Sequence, residues 1–398
     1  MIGLIPTEHL EYSANDVIRG LIAMVKPSLK ERNLKINGLG DLIPIRSARA
    51  GIITAIQALN LPPNARIGVP LYCCPVVFKS IKASGCIPHF LDIDSRTFCL
   101  SADDLHKKKS NLDAVIAVHM FGNVCDINEL KNAAPDKPII EDCAQSLGSK
   151  LKGKLTGTFG DISVFSFRSG KYLSVGEGGA IYSNNLDIRS RILQRLSDMD
   201  TPTPRAEVMH IFETYLRSIL RRKPVYGVIG YPLWKFYTKK INYTSQSPIA
   251  ISKIYKTDLS VAKKRLYDLR AMIEAQRTNT DYYLKNLSLD SEMVCIERLD
   301  TFYNRYLFPI LFSSLEARDK MANLLFKQRI EAIQPYKDIV EIAVKYYGYA
   351  GKCPVSEKIS KGILVIPNNY KLTLKNIQLI VECLNNEWLK IKDIGSRN

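Results

Sequence analysis

The chain has 398 residues, 46% of them hydrophobic, which is enough apolar side chain for one large domain plus a smaller one and excludes global disorder. Its formal charge of +17 suits an anionic partner (nucleic acid, a membrane surface or an anionic small substrate) and equally a solvated lysine-rich surface, because charge speaks to association and not to fold. Nine cysteines without zinc spacing, and an opening MIGLIPTEHLEY with no long apolar run, lead us to expect a cytoplasmic protein with free thiols and no metal.

Residues 45–185 read as alternating helices and short apolar strands. Ser47 stands at a helix start, and Ile52, Ala55, Ile56 and Leu59 then share one helical face. The runs 67–72, 88–91, 114–118 and 138–141 are short, apolar and bounded by turn or polar residues, as buried strands are. Strands separated by helical patterns predict a mostly parallel sheet covered on both faces. From about residue 197 the character changes. Residues 212–241 hold seven Lys or Arg against one Glu, interleaved with aromatics, and the run PVYGVIGYPLW is too short and broken to span a bilayer. A long helix is predicted over 261–287. A strand (306–311), a helix (315–328) and a closing helix (374–384) then make a smaller α+β domain. The expected division is a large α/β domain over 1–285, with a basic aromatic excursion at about 205–250, and a small domain over 286–398.

Three positions carry candidate chemistry. Asp142, in PIIEDCAQSLG, follows an apolar strand and so sits at a strand's carboxyl end, where open α/β sheets bind ligands. It, or Glu141, could instead cap the next helix. Ser47 with the amides of Ala48 and Arg49 makes a helix start able to hold a phosphate, or simply an N-cap. Lys171, in FSFRSGKYLSVGEGGAIYSN, follows a buried-looking strand and lies among glycines. It is either a solvated lysine or an amine poised for a Schiff base. Ser166 lies close enough in sequence to reach the same phosphate. A phosphate cradle, a strand-end carboxylate and a turn lysine together suit pyridoxal 5′-phosphate.

The run EDCAQSLGSKLKGKLTGTFGDISVFSFRSGKYLSVGEGGAIYSNN resembles the signature of the DegT/StrS-type nucleotide-sugar aminotransferases. The shared elements are E-D-x-A-Q, the G-x-x-G-D turn, the S-F strand end, the lysine and the E-G-G after it. Weaker similarity runs through VPLYCCPVVFKSIKASGCIPHFLDID, VHMFGNVCDI and ILVIPNNYKLTLKNI. The resemblance implies the fold-type-I architecture of pyridoxal-phosphate enzymes and a homodimer with shared sites. It also implies transfer of an amino group, usually from L-glutamate, to a keto group of a nucleotide-linked sugar, for polysaccharide or lipopolysaccharide synthesis. By the same resemblance Lys171 holds the cofactor and moves the proton, Asp142 pairs with the pyridinium nitrogen, and Gln145 sits near the ring hydroxyl. Ser166, Ser47, Ala48 and Arg49 bind the phosphate. His119, Arg168 and Glu177 are candidate substrate contacts. A branch of the family carries histidine in place of the lysine; Lys171 sets this chain apart from it.

The chain departs from that pattern at four places. Ser47-Ala48-Arg49 replaces a Gly-Thr or Ala-Thr pair. Cys74 stands where an aromatic stacks on the cofactor, with Tyr72 offset by two residues. Tyr255 or Lys256 occupies the place of a partner-subunit asparagine. The stretch 205–250 is expanded. Arg217, Arg221, Arg222 and Lys223 there could recognise a diphosphate, or Trp234 and the tyrosines could rest weakly on an anionic membrane, or the whole could be a solvated excursion. The alternatives to an enzyme are a degenerate family member that only binds or regulates, and a membrane or nucleic-acid binder without a recognisable motif.

Overall fold

The computed structural model describes residues 3–25, 34–222, 225–240 and 248–391. Ten strands precede residue 183: β1 (Leu34–Ile36), β2 (Gly40–Ile45), β3 (Arg66–Pro70), β4 (Ile87–Leu91), β5 (Ala114–Val118), β6 (Ile139–Asp142), β7 (Lys150–Leu151), β8 (Lys154–Leu155), β9 (Ile162–Ser166) and β10 (Gly179–Tyr182). Eight of them form one sheet in the order β1-β2-β10-β9-β6-β5-β3-β4. The strands from β9 across to β4 run parallel, and β10 runs antiparallel to both β9 and β2. Every residue of β5 and β6 is buried, which is why these strands read as unbroken apolar runs and not as alternation. The fold is thus a mixed α/β architecture around a largely parallel sheet, as expected.

The helix Ala48–Ala58 buries one side chain after another against this sheet, and Ser47 Oγ caps it by accepting from Ala50 N–H. The long helix begins earlier than its apolar pattern suggests, at Lys256, and runs to Asn286. The reason is a cap from another element: the Glu207 carboxylate accepts the N–H groups of Lys256 and Thr257.

The basic aromatic stretch folds into the helices Pro204–Leu220 and Tyr231–Lys240, joined by the π-turn Tyr226–Gly230. Tyr226 is buried and donates to Glu331 Oε1 at 2.7 Å. Phe212, Leu216, Trp234 and Phe236 face outward. Lys223 and residues 241–247 lie outside the described residues.

The C-terminal layer pairs β12 (Phe308–Leu311) with β13 (Ile363–Ile366), after the short β11 (Thr301–Phe302) that pairs with β7. Helices Leu315–Lys327 and Leu374–Ile391 close over β12 and β13, the last one continuing past residue 384 because Trp388 and Ile391 are buried in this core. Ile5 belongs to the same core and bridges Ile330. The segment before the first helix therefore packs with residues more than three hundred positions away. Among the described residues no helix is long and apolar enough to cross a membrane.

Candidate functional site

The carboxyl ends of β6 and β9 lie side by side, and Asp142 ends β6. Its Oδ1 accepts from Ala144 N–H at 2.9 Å, while Oδ2 has no protein donor among the described residues. Burial raises the pKa of this carboxyl, opposed by the Ala144 N–H and by the charge of Lys171. Glu141, one residue earlier, points the other way and is fully satisfied. It accepts from Gly157, Phe159 and Gly160 N–H groups and from His119 Nε2 at 3.0 Å. The His119 Nδ1 accepts Cys125 N–H at 3.0 Å, so the proton sits on Nε2. The pair is fully buried. His119, a candidate substrate contact, therefore has neither ring nitrogen to offer a ligand.

Lys171 lies in the turn that follows β9. Gly170 (φ +91°) and Gly176 (φ +108°) reverse the chain, and Lys171 N–H donates to Arg168 O at 3.0 Å. A side chain at Gly170 would strike the Glu8 carboxylate, its Cβ falling 2.7 Å from Oε2. The Lys171 Nζ lies 4.3 Å from the ring centroid of Tyr306 and makes no ion pair or hydrogen bond among the described residues. Its pKa is lowered to about 8, by burial first and by Arg168 next, against the opposing charges of Glu8, Cys74 and Asp142. The amine therefore loses its proton at a lower pH than an ordinary lysine. The cavity beside it is lined by Thr7, Glu8, His9, Tyr306, Asn369 and Tyr370.

The E-G-G segment has a steric reason. A Cβ on Gly179 would lie 2.6 Å from Phe165 O, 2.7 Å from Ala48 N and 2.8 Å from Ser47 C. Gly178 (φ +135°) bridges Ser47, and Gly179 pairs with Ser166. Ser47, Ala48 and Ser166 are thereby brought to one place, at the start of a helix whose first N–H groups lack intrahelical acceptors. Arg49 brings its amide there, but its guanidinium turns to Glu177 at 3.6 Å, which also holds Arg46 at 2.8 Å. Glu177 is committed to these two arginines. Arg46 in turn lies over the Tyr255 ring at 3.8 Å, and Tyr255 stacks on His210.

Of the remaining candidates, Gln145 is buried and accepts Phe121 N–H through Oε1 at 3.1 Å. Cys74 is half-buried at the start of the helix Pro75–Ala83, and its thiol senses Arg168, Lys171 and Asp142 electrostatically. Tyr72, considered as an aromatic for the cofactor, is fully buried. Its hydroxyl donates to Pro335 O at 3.0 Å, and its ring is wedged between Phe121 and Tyr336. It is not placed to face a ligand. Arg168 is exposed and makes no salt bridge among the described residues. Sequence reasoning missed Glu8, Tyr306 and Tyr336, which the fold brings to Lys171 or Cys74. None of the three stands in a motif: Glu8 lies between Thr7 and His9, Tyr306 between Arg305 and Leu307, and Tyr336 between Pro335 and Lys337.

The sequence profile described as the DegT/DnrJ/EryC1/StrS aminotransferase family matches residues 36–217 and 226–385. GDP-perosamine synthase of Escherichia coli O157:H7 is 27% identical over 334 residues, covering 83% of this chain and 81% of that protein. Aminotransferase TlmJ from Streptoalloteichus hindustanus superposes with a TM-score of 0.75 at 18% identity, over 98% of this chain and 100% of that one. The PLP-form of a Streptococcus pneumoniae protein superposes with a TM-score of 0.73 at 16% identity, over 98% and 99% of the two chains. At such identities the structural likeness speaks to fold.

Proposed function

The chain belongs to the DegT/DnrJ/EryC1/StrS aminotransferase family, and from that premise we propose that it transfers an amino group from an amino acid to a keto group of a nucleotide-linked sugar, with pyridoxal 5′-phosphate as cofactor. The observation that carries the reading is Lys171: a lysine whose pKa burial lowers, without an ion pair or hydrogen bond among the described residues, electrostatically coupled to a buried carboxylate whose Oδ2 is open. The residues fit the group. Asp142 Oδ2 accepts no hydrogen bond among the described residues and suits a protonated ring nitrogen, and Ser47, Ser166 and the amides of Ala48 and Arg49 suit a phosphate.

When bound, pyridoxal phosphate supplies the electron sink for carbanion chemistry. Lys171 Nζ would attach it and would then serve to move the proton. Asp142 would keep the ring nitrogen protonated, and Gln145, oriented by Phe121 N–H, would be available to its polar substituents. The helix start orients the phosphate end. Arg168, an exposed cation three residues before the lysine, suits a substrate carboxylate or phosphate.

The nucleotide-linked acceptor is supported by the name of the E. coli relative, a GDP-sugar synthase. The family resemblance supports a homodimer that shares its sites and L-glutamate as the usual donor, and the residue pattern supports a division into domains at 285/286. A second reading, a scaffold that binds without turnover, rests on the Arg49 guanidinium being turned to Glu177. Visible spectra of the protein with pyridoxal phosphate, before and after L-glutamate or L-glutamine, test both. A new absorbance band lost in Lys171→Ala and shifted by an amino acid supports the enzyme. A band that no amino acid shifts favours the scaffold.

A further inference from the structure

Within electrostatic reach of both Asp142 and Lys171 stands a short side chain, Cys74, and a flat aromatic ligand bound there needs a broader face to rest on. The nearest ring to that thiol in the chain order is Tyr72, which is buried and tied to Pro335 O. That bond has a consequence for the next residue. It docks the Pro335–Tyr336 peptide on Tyr72, and the Tyr336 ring meets the Tyr72 ring edge-on, centroids 5.7 Å apart and planes 73° apart.

Tyr336 has φ +57°, in the left-handed region that a bulky residue adopts only when its surroundings dictate it. Two hydrogen bonds fix the conformation, Tyr72 Oη to Pro335 O and Ile339 N–H to Tyr336 O at 3.0 Å. The ring is half-buried, and its hydroxyl has no hydrogen-bond partner among the described residues. Cys74, Tyr306 and Arg168 all lie within electrostatic reach of that hydroxyl. Tyr306 is not equivalent to it. The Tyr306 ring faces the Lys171 amine, and its hydroxyl is engaged with Gly170 O at 3.1 Å.

We propose that Tyr336 is a positioning residue that covers the cofactor ring on the side where Cys74 leaves room. The inference rests on the cofactor reading above. A strained backbone held by a buried tyrosine and an aromatic ring at the edge of the reactive site are what such a role requires, and the strain is not needed for packing alone.

The test is titration of apoprotein with pyridoxal phosphate, followed by absorbance, with melting temperature of the apo form recorded alongside. Tyr336→Leu weakens cofactor affinity roughly threefold to tenfold, the scale of one aromatic contact. Tyr336→Phe keeps the affinity, because the ring remains. Adding Cys74→Phe to Tyr336→Leu restores it, because a ring returns to the same side from position 74. Tyr336→Gly relieves the backbone, so its apo melting temperature holds while affinity falls. Unchanged affinity in both Tyr336→Leu and Tyr336→Gly, with wild-type protein binding cofactor through Lys171, overturns this inference alone. A wild type that never binds pyridoxal phosphate overturns it together with the cofactor reading.

Discussion

The Lys171 amine rests against the ring of Tyr306, 4.3 Å from its centroid, although the two residues come from different layers of the fold. The contact seats the amine in a partly dry site, and the charges around it set its basicity. Burial and Arg168 lower the pKa to about 8 from 10.5, and Glu8 opposes them. The rate at which pyridoxal phosphate condenses with the protein should rise with pH through a midpoint near 8. Removing the neighbouring cation in Arg168→Gln moves that midpoint upward. Removing the neighbouring anion in Glu8→Gln moves it downward. Midpoints that coincide in all three proteins would contradict this account of the site.

Burying an amine that makes no ion pair or hydrogen bond among the described residues also works against the fold. Because the folded-state pKa lies below that of the unfolded chain, the unfolded state binds more protons between the two values, and this group's penalty is full below about 8 and disappears as pH rises toward 10.5. Lys171→Met should therefore raise the melting temperature of the apoprotein at pH 7 while abolishing covalent cofactor attachment. A lower melting temperature would mean the amine is better paired than the structure indicates.

The buried His119–Glu141 pair governs the acid limb. Burial alone would raise the Glu141 pKa, but His119 and the Gly160 and Gly157 N–H groups more than offset it, and the net shift is downward. The stabilisation is complete above the ordinary glutamate value and is lost as pH falls from there toward the folded-state value. Urea denaturation from pH 7 to pH 3 should show this slope in the wild type and a shallower one in Glu141→Gln. That variant should also be less stable at pH 7 by about 1–3 kcal/mol, the scale for buried N–H donors that lose a carboxylate acceptor.

At Gly179 the nearest neighbours of a new Cβ are all backbone: Phe165 O at 2.6 Å, Ala48 N at 2.7 Å and Ser47 C at 2.8 Å. No side chain can swing away. Gly179→Ala should cost about 1–3 kcal/mol, the range for overpacking, and should weaken cofactor binding by displacing the helix start. Equal stability by urea titration would show that the strand shifts freely.

Asp142→Asn keeps the shape and the acceptor for Ala144 N–H but removes a charge that burial disfavours. Stability should hold or improve. Turnover should fall on the order of 100-fold, the scale of a misplaced proton in catalysis, since an amide cannot keep the ring nitrogen protonated. Turnover within twofold of wild type would remove Asp142 from the chemistry.

The amino-acid sequence by itself determined the parallel strands, the helix start at Ser47, and the places of Asp142 and Lys171 at strand ends. These depend on local patterns: continuous apolar runs, a cap residue, a glycine turn. It also carried the family signature, because that signature is one contiguous stretch. Only the tertiary structure decided what surrounds the lysine. Glu8 arrives because Ile5 bridges Ile330, and Tyr306 because it leads into β12. Tyr336 arrives because a tyrosine 264 positions earlier holds its peptide, a link seen in the Tyr72–Pro335 hydrogen bond with its separation of 263. The start of the long helix belongs to the same class, since its cap is Glu207. Contacts of this kind follow from how layers stack, and periodicity within a window of some fifteen residues has no access to them.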